Sequence, residues 1–576
     1  GLAVAVVVVV IAALYLSHEK PVPTPEKKKL VVLPFENLGA PEDEYFADGI
    51  TDEIIARLTG ISEMSVIAEN SAMQYKKTQK TIKQIAEELG VDYILSGTIR
   101  WQKSGEGQGR VRVTPALIRA SDSTHVWANV YDESISEVFQ VQSDISKKVV
   151  EALGVALLEP ERKTLEIKPT ENSEAYDYYL RGIDYSIGAR AAYDERQIRL
   201  AIEMFEKAVA LDPKFLQAYA QLARWHGTYY WFYFDRSQER MNKAKEAAEK
   251  AFQLDPDAAE THFALGFYYY HCQLDYDQAL KHFALAQKKQ PMNTQILEGI
   301  AYVKRRQGKL DEAATCLKLA TEVDPLSPRI ALELGTTYLL IRKYQEAERL
   351  YDRAIFLNPD SSRTFWCKTR LYLIAEGNIT KARQVLEEAS KNIATINPNL
   401  ITYLWVLVDI FDKKYQEALA RLASAPGEAF EDQFFVVPKA QLAAQIYGLM
   451  SKPELEKSSY DTARRFLEER IRQSQEDSRL ISALGIAYAG LGRKNEAIEA
   501  AERATKLLPI FQDAWLGAAR LQDLAQVLTM VGEYNRAFDL IEHLLSTPGE
   551  LSVAWLRLDP VWSPLLTQPR FKKLLK

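Results

Sequence analysis

The sequence predicts a mainly α-helical chain: a superhelix of repeated helix pairs, preceded by a small mixed α/β domain and, at the amino terminus, an apolar membrane helix. Three observations lead there. Pro291, Pro325 and Pro359 recur at intervals of 34 residues with matching small and large residues between them. Residues 30–158 instead alternate short β-rich runs with helical ones. Residues 1–16, GLAVAVVVVVIAALYL, carry no charge at all.

The apolar stretch comes first along the chain. Its composition is that of a membrane segment, and a span needs about 20 such residues. Residues 1–18 are therefore expected to be a transmembrane helix truncated at its start, because the chain begins at Gly1 without a methionine. A cleaved signal peptide is the rival reading. Residues 19–29 form a proline-broken linker. Lys20, Lys27, Lys28 and Lys29 within it favour a cytoplasmic flank. Large domains cross membranes regardless of such charges, and the expected location is a bacterial inner membrane with the soluble part outside the cytoplasm.

The mixed domain follows at 30–158. LVVLPF at 30–35 reads as a buried strand, 43–59 as a helix, 64–68 as a strand and 80–89 as a helix stopped at Gly90. Three β-rich runs at 92–101, 110–119 and 124–131 and a helix at 137–155 complete it. Strands alternating with helices and ending in a meander predict a mixed sheet covered by helices. VLPFENLGAPEDEYFADGITDEII at 32–55, VIAENSAMQYK at 66–76, IAEELGVDYILSGTIR at 85–100 and RVRVTPALIRASDSTHVWANVYD at 110–132 resemble the TolB-like amino-terminal domain. In that family the domain lies between a membrane helix and helical repeats in bacterial multidomain proteins. Pro115 departs from the pattern and predicts an edge strand or a bulge. Asp43, Glu44, Asp48, Asp52 and Glu53 read as helix-start charges favoured by the dipole, with no His or Cys at ligand spacing. SGEGQGR at 104–110 leads into no helix and reads as a hairpin tip, not a phosphate loop. Trp127 reads as core, beside His125 on one strand.

The array is expected over 171–545 in about ten units. Its clearest unit, 327–359, carries Leu334, Gly335 and Tyr338 in one helix and Tyr344, Ala347, Tyr351 and Ala354 in the next. A fixed period of this kind means stacked copies of one unit. The small residues let paired helices touch, the large ones fill the groove, and the proline ends the second helix. These offsets resemble the tetratricopeptide repeat. They recur at Leu265, Gly266 and Tyr269, and again at Leu484, Gly485 and Tyr488, with Ala501, Ala504 and Pro509 closing that unit. The tail at 546–576 is expected to cap the last pair through Trp555, Leu556, Trp562 and Phe571.

A solenoid of stacked pairs presents a long concave surface, so binding is the expected role. The repeat alignment places Glu298, Tyr302 and Arg306, then Leu332, Thr336 and Leu340, on the inner face. The resemblance implies a Lys and Asn set at those positions in chaperone-binding members, and it is missing here. Tyr229, Tyr230, Trp231, Phe232 and Tyr233 lie in an insertion and make a candidate protein interface. The alternative is that they pack against the insertion at 184–196. His262, Cys272 and His282 match no zinc spacing. Cys272, Cys316 and Cys367 read as buried thiols.

The chain has 576 residues, 47% of them apolar, and a net charge of -6, which argues against nucleic acid as partner. No kinase or nucleotide-binding motif is found, so no catalytic residue, cofactor or metal is expected. The expected function is a membrane-anchored scaffold binding protein partners or copies of itself. The alternatives are the regulatory half of a kinase or cyclase whose catalytic domain precedes Gly1, and a structural subunit of a filament or tube.

Overall fold

The computed structural model describes residues 27–102, 109–134, 137–166, 168–192, 194–392 and 398–574. The expected membrane helix at 1–18 and the glycine loop from 103 to 108 lie outside them. Among the described residues no helix is long and apolar enough to cross a membrane. The longest, Ser173–Ala192 and Pro453–Gln473, have the length but carry charged residues throughout. The expected fold class is corrected accordingly: the described chain is a mainly helical superhelix joined to a mixed α/β domain, without a membrane helix.

In the α/β domain the strands are β1 (Lys28–Val32), β2 (Glu36–Asn37), β3 (Met64–Val66), β4 (Tyr93–Gln102), β5 (Arg110–Arg119), β6 (Thr124–Ala128) and β7 (Tyr131–Ser134). They order as β3-β1-β4-β5-β6, with β2 on β4 and β7 on β5. β1 runs parallel to β3 and β4, whereas β5 is antiparallel to β4. The helix Ile82–Leu89 starts on a Thr81–Gln84 capping box and stops at Gly90, whose φ of 64° suits glycine.

Pro115 does not sit on an edge. β5 pairs along its whole length with β4, and on its other side with β7 over Arg110–Val113 and β6 over Ala116–Arg119. The missing N–H falls in the gap between those two partners, on the side where the Pro115 carbonyl accepts from Asn129 N at 3.2 Å. The register irregularity lies two residues on, between Leu117 and Ile118.

Among the described residues ten helix pairs follow, from Ser173–Ala192 with Glu195–Leu211 to Leu516–Met530 with Tyr534–Ser546. The small residue of a first helix admits the ring of a second. A Cβ on Gly182, Gly266 or Gly335 would stand 2.5, 2.6 or 2.8 Å from the ring carbons of Phe205, Phe283 or Tyr351. Ala208, Ala286, Ala320 and Ala354 are fully buried at the same closing position. Some first helices begin on side-chain caps, at Asn293, Ser327, Ser361 and Asp477; Ser327 accepts from Ile330 N, with Pro328 at the first helical position.

The superhelix closes on itself, whereas an open concave face was expected. Ala514 N donates to the Arg306 carbonyl at 2.7 Å, Gly549 N to Leu340 at 2.9 Å and Ser552 Oγ to Ile374 at 2.5 Å. An inserted hairpin, β8 (Ala429–Asp432) and β9 (Phe435–Pro438), also reaches inward. The tail adds to the closure, since Leu556, Trp562 and Phe571 pack on the last pair while Trp555 meets Phe411 edge-on at 5.7 Å. The α/β domain ties two distant repeats together. Its core continues into Leu180, Phe215 and Ala218, and Ser71 and Asn70 both donate to Asp324.

Candidate functional site

Closure forms a partly open central cavity of about 190 Å³, walled by first helices of successive repeats, the tip of the β8–β9 hairpin and the segment at Asp513–Trp515. Five arginines line it: Arg224, Arg305, Arg306, Arg329 and Arg363. Two of them follow the repeat, since Gln295, Arg329 and Arg363 occupy one position at 34-residue intervals. Gln295 accepts from Arg224, Arg329 pairs with Glu298, and Arg363 meets Asp432 at 2.5 Å.

Arg305 and Arg306 form the centre. Arg305 Nη2 reaches Glu333 at 2.6 Å, and its guanidinium lies 4.6 Å from the Trp515 ring. The Arg306 guanidinium sits 5.0 Å from both Trp231 and Trp515, the geometry in which ring faces attract a cation. Its carboxylate, Asp513, stands 3.6 Å away, and Asp513 also accepts from Tyr276 Oη at 2.7 Å. Burial opposes the Arg306 charge, but Tyr270 and Asp513 outweigh it and raise its pKa.

His271 enters the wall from a single π-helical turn, Tyr269–Gln273, that widens the end of the helix Ala259–Tyr268. Burial, followed by the Arg224 and Arg306 charges, holds its pKa well below the usual value, so the ring is neutral. Trp231 stands against it with ring centres 5.4 Å apart.

Of the residues singled out for the inner face or the interface, Trp231, Phe232, Tyr302, Arg306, Leu332 and Thr336 line this cavity. Leu340 is buried and its carbonyl receives Gly549. Tyr229 turns away, donating to Glu195 at 2.7 Å in the insertion of the first repeat. Tyr230 and Tyr233 are half-buried and hold the Arg236 guanidinium at 4.1 and 4.4 Å from their ring centres. Arg224, Arg305, Arg329, Arg363, Trp515 and the hairpin tip were not singled out. The recurrence of arginine at 329 and 363 was the readable signal for two of them.

The remaining chemistry is structural. Lys76 neutralises Glu44 and Asp48 at 3.0 and 2.6 Å, and Glu53 pairs with Arg57. His262 and His282 meet through their Nδ1 atoms at 3.2 Å, while burial pushes the Cys272 thiol up to about 12. Among the described residues no group of three or more His, Cys, Asp or Glu could hold a metal ion.

Sequence models of the tetratricopeptide repeat match residues 298–362 and 478–509, so the chain contains repeats of this family. Putative adenylate cyclase 3 of Rhizobium meliloti (strain 1021) is 30% identical over 260 residues, which are 43% of this chain and 41% of that protein. The chain thus spans less than half of that relative's length. Among solved structures, PilW, a type IV pilus biogenesis factor, is 19% identical, with 38% of this chain and 94% of that one covered and a TM-score of 0.31. PilF of Pseudomonas aeruginosa is 18% identical, covering 46% of this chain and 98% of its own, with a TM-score of 0.28.

Proposed function

We propose that the protein is a scaffold of the tetratricopeptide type that binds a protein partner. The observation that carries this reading is the stack of ten helix pairs, two stretches of which match the repeat family. Such stacks present extended surfaces built from many helices. The partner is read to dock beside the half-buried aromatics Tyr230, Phe232 and Tyr233 with Arg236, residue types that dominate binding hot spots. The α/β domain is read as TolB-like. In support, the block at 32–55 runs from the end of β1 into the helix Glu44–Thr59, and the block at 110–132 supplies β5 and β6. The cyclase name of the relative does not by itself favour a regulatory role in cyclisation here.

Photo-crosslinking residues placed at Tyr230 and Phe232 of the full chain test the reading, with Phe356, 78% exposed on a second helix, as control. The expected result is one shared protein adduct from both positions, absent from the control and lost in Arg236→Ala. Adducts no different from those of the control would overturn it.

A further inference from the structure

The cavity wall offers hydrogen bonds that the protein itself does not complete. Arg305 Nε is buried without a hydrogen-bond partner, Arg306 Nη1 faces Asp513 only at 3.6 Å, beyond hydrogen-bond reach, and Trp225 Nε1 and His271 Nδ1 are buried without a partner. All four side chains are more than nine-tenths buried. Leaving a buried donor bare is costly, most of all on a charged group. Two neighbouring guanidinium groups with spare N–H atoms match a planar carboxylate, which accepts from such forks. Gln433, which also lines the cavity, has Oε1 as a buried acceptor with no donor. Trp231, Phe267 and Trp515 add apolar faces to the lining.

Size limits what fits. The cavity measures about 190 Å³, and an apolar cavity of about 150 Å³ accepts a benzene ring. We propose that the central cavity is a receptor site for a small organic carboxylate bearing one aromatic ring and an N–H donor. The carboxylate accepts from Arg305 and Arg306, the ring lies among the indole and phenyl faces, and the N–H donates to Gln433. This function goes beyond partner binding by the scaffold. It also ties the ligand to closure, because the wall joins Arg306 to Trp515 and the hairpin tip, which are distant in sequence. A ligand that binds only the closed form stabilises it.

Hippurate, an aromatic ring joined through an amide N–H to a carboxylate, is the probe for the full chain, with benzoate as a smaller carboxylate and hippuramide as the uncharged counterpart. Titration calorimetry and thermal unfolding are expected to show hippurate binding with a raised Tm, and hippuramide binding at least about tenfold more weakly. Gln433→Leu, at a half-buried hairpin tip, is expected to weaken hippurate about tenfold, as is Arg305→Lys, which keeps the charge but not the fork. Circular dichroism confirms that both variants fold. The proposal is overturned if neither carboxylate binds, if hippuramide binds as well as hippurate, or if both variants bind hippurate like the parent.

Discussion

Phe283 shows how single residues set the repeat. Its ring fills the space left by two glycines of successive repeats, since a Cβ on Gly266 would come within 2.6 Å and one on Gly299 within 2.8 Å. Gly266→Ala must displace a fully buried ring, so it is expected to cost about 1–3 kcal/mol in urea unfolding. His226 makes a second case. Its Nδ1 accepts from Arg240 Nη1 at 2.8 Å, and burial, then the Arg240 and Lys243 charges, lowers its pKa to about 3. The unfolded chain binds a proton here below about 6.5, and the folded chain does not until about 3. The neutral ring therefore contributes stability that is complete above pH 6.5 and lost as pH falls toward 3. In His226→Asn the stability deficit against the parent is expected to shrink between about pH 7 and pH 4, read by urea titration at each pH. The glycine and aromatic offsets were legible because they recur. The neutral state of His226 was not, because Arg240 and Lys243 come from the following helix.

Among elements, the β8–β9 hairpin marks the limit of reading by periodicity. Residues 429–438 lie where the repeat signature is weak, and Phe434, Phe435, Val436 and Val437 form an apolar run without a two-residue turn signal. What places the hairpin is contact with other repeats. Arg363 pairs with Asp432, Arg520 donates to the Phe434 carbonyl, and Phe434 packs on Trp515 with ring centres 4.7 Å apart. The Asp432 side chain is only 8% exposed, so Arg363→Ala leaves a buried carboxylate without its ion-pair partner, held among the described residues only by Gln433 N. A loss of about 3 kcal/mol is expected in chemical denaturation. The strands and helices of the α/β domain were easier to read, since each carries its own alternation or cap. Pro115 misled because a proline can also stand in an internal strand where two partner strands leave a gap.

For the whole molecule, the stacked pairs were legible and the closure was not. A 34-residue period describes how each pair meets the next, but nothing in it tells where residues two hundred positions apart meet. The cavity depends on those meetings. Tyr302 and Arg306 were placed on the inner face from the repeat alignment, whereas Asp513 and Trp515, which pack against Arg306, were not. The apolar amino-terminal stretch read as a membrane helix from composition alone. No described helix has that character. Closure can be measured at the seam between the sixth pair and the tail, where a Cβ on Gly377 would lie 3.9 Å from that of Ala554. That separation suits a disulfide, for which Cβ atoms lie about 3.5–4.5 Å apart, although the φ of 64° at Gly377 costs a cysteine there about 1–2 kcal/mol that the folded variant must absorb. In the folded double variant Gly377→Cys with Ala554→Cys, mild oxidation followed by peptide mapping is predicted to yield one intramolecular disulfide joining the two positions. Recovery of both as free thiols from folded protein would contradict a superhelix closed over its own inner face.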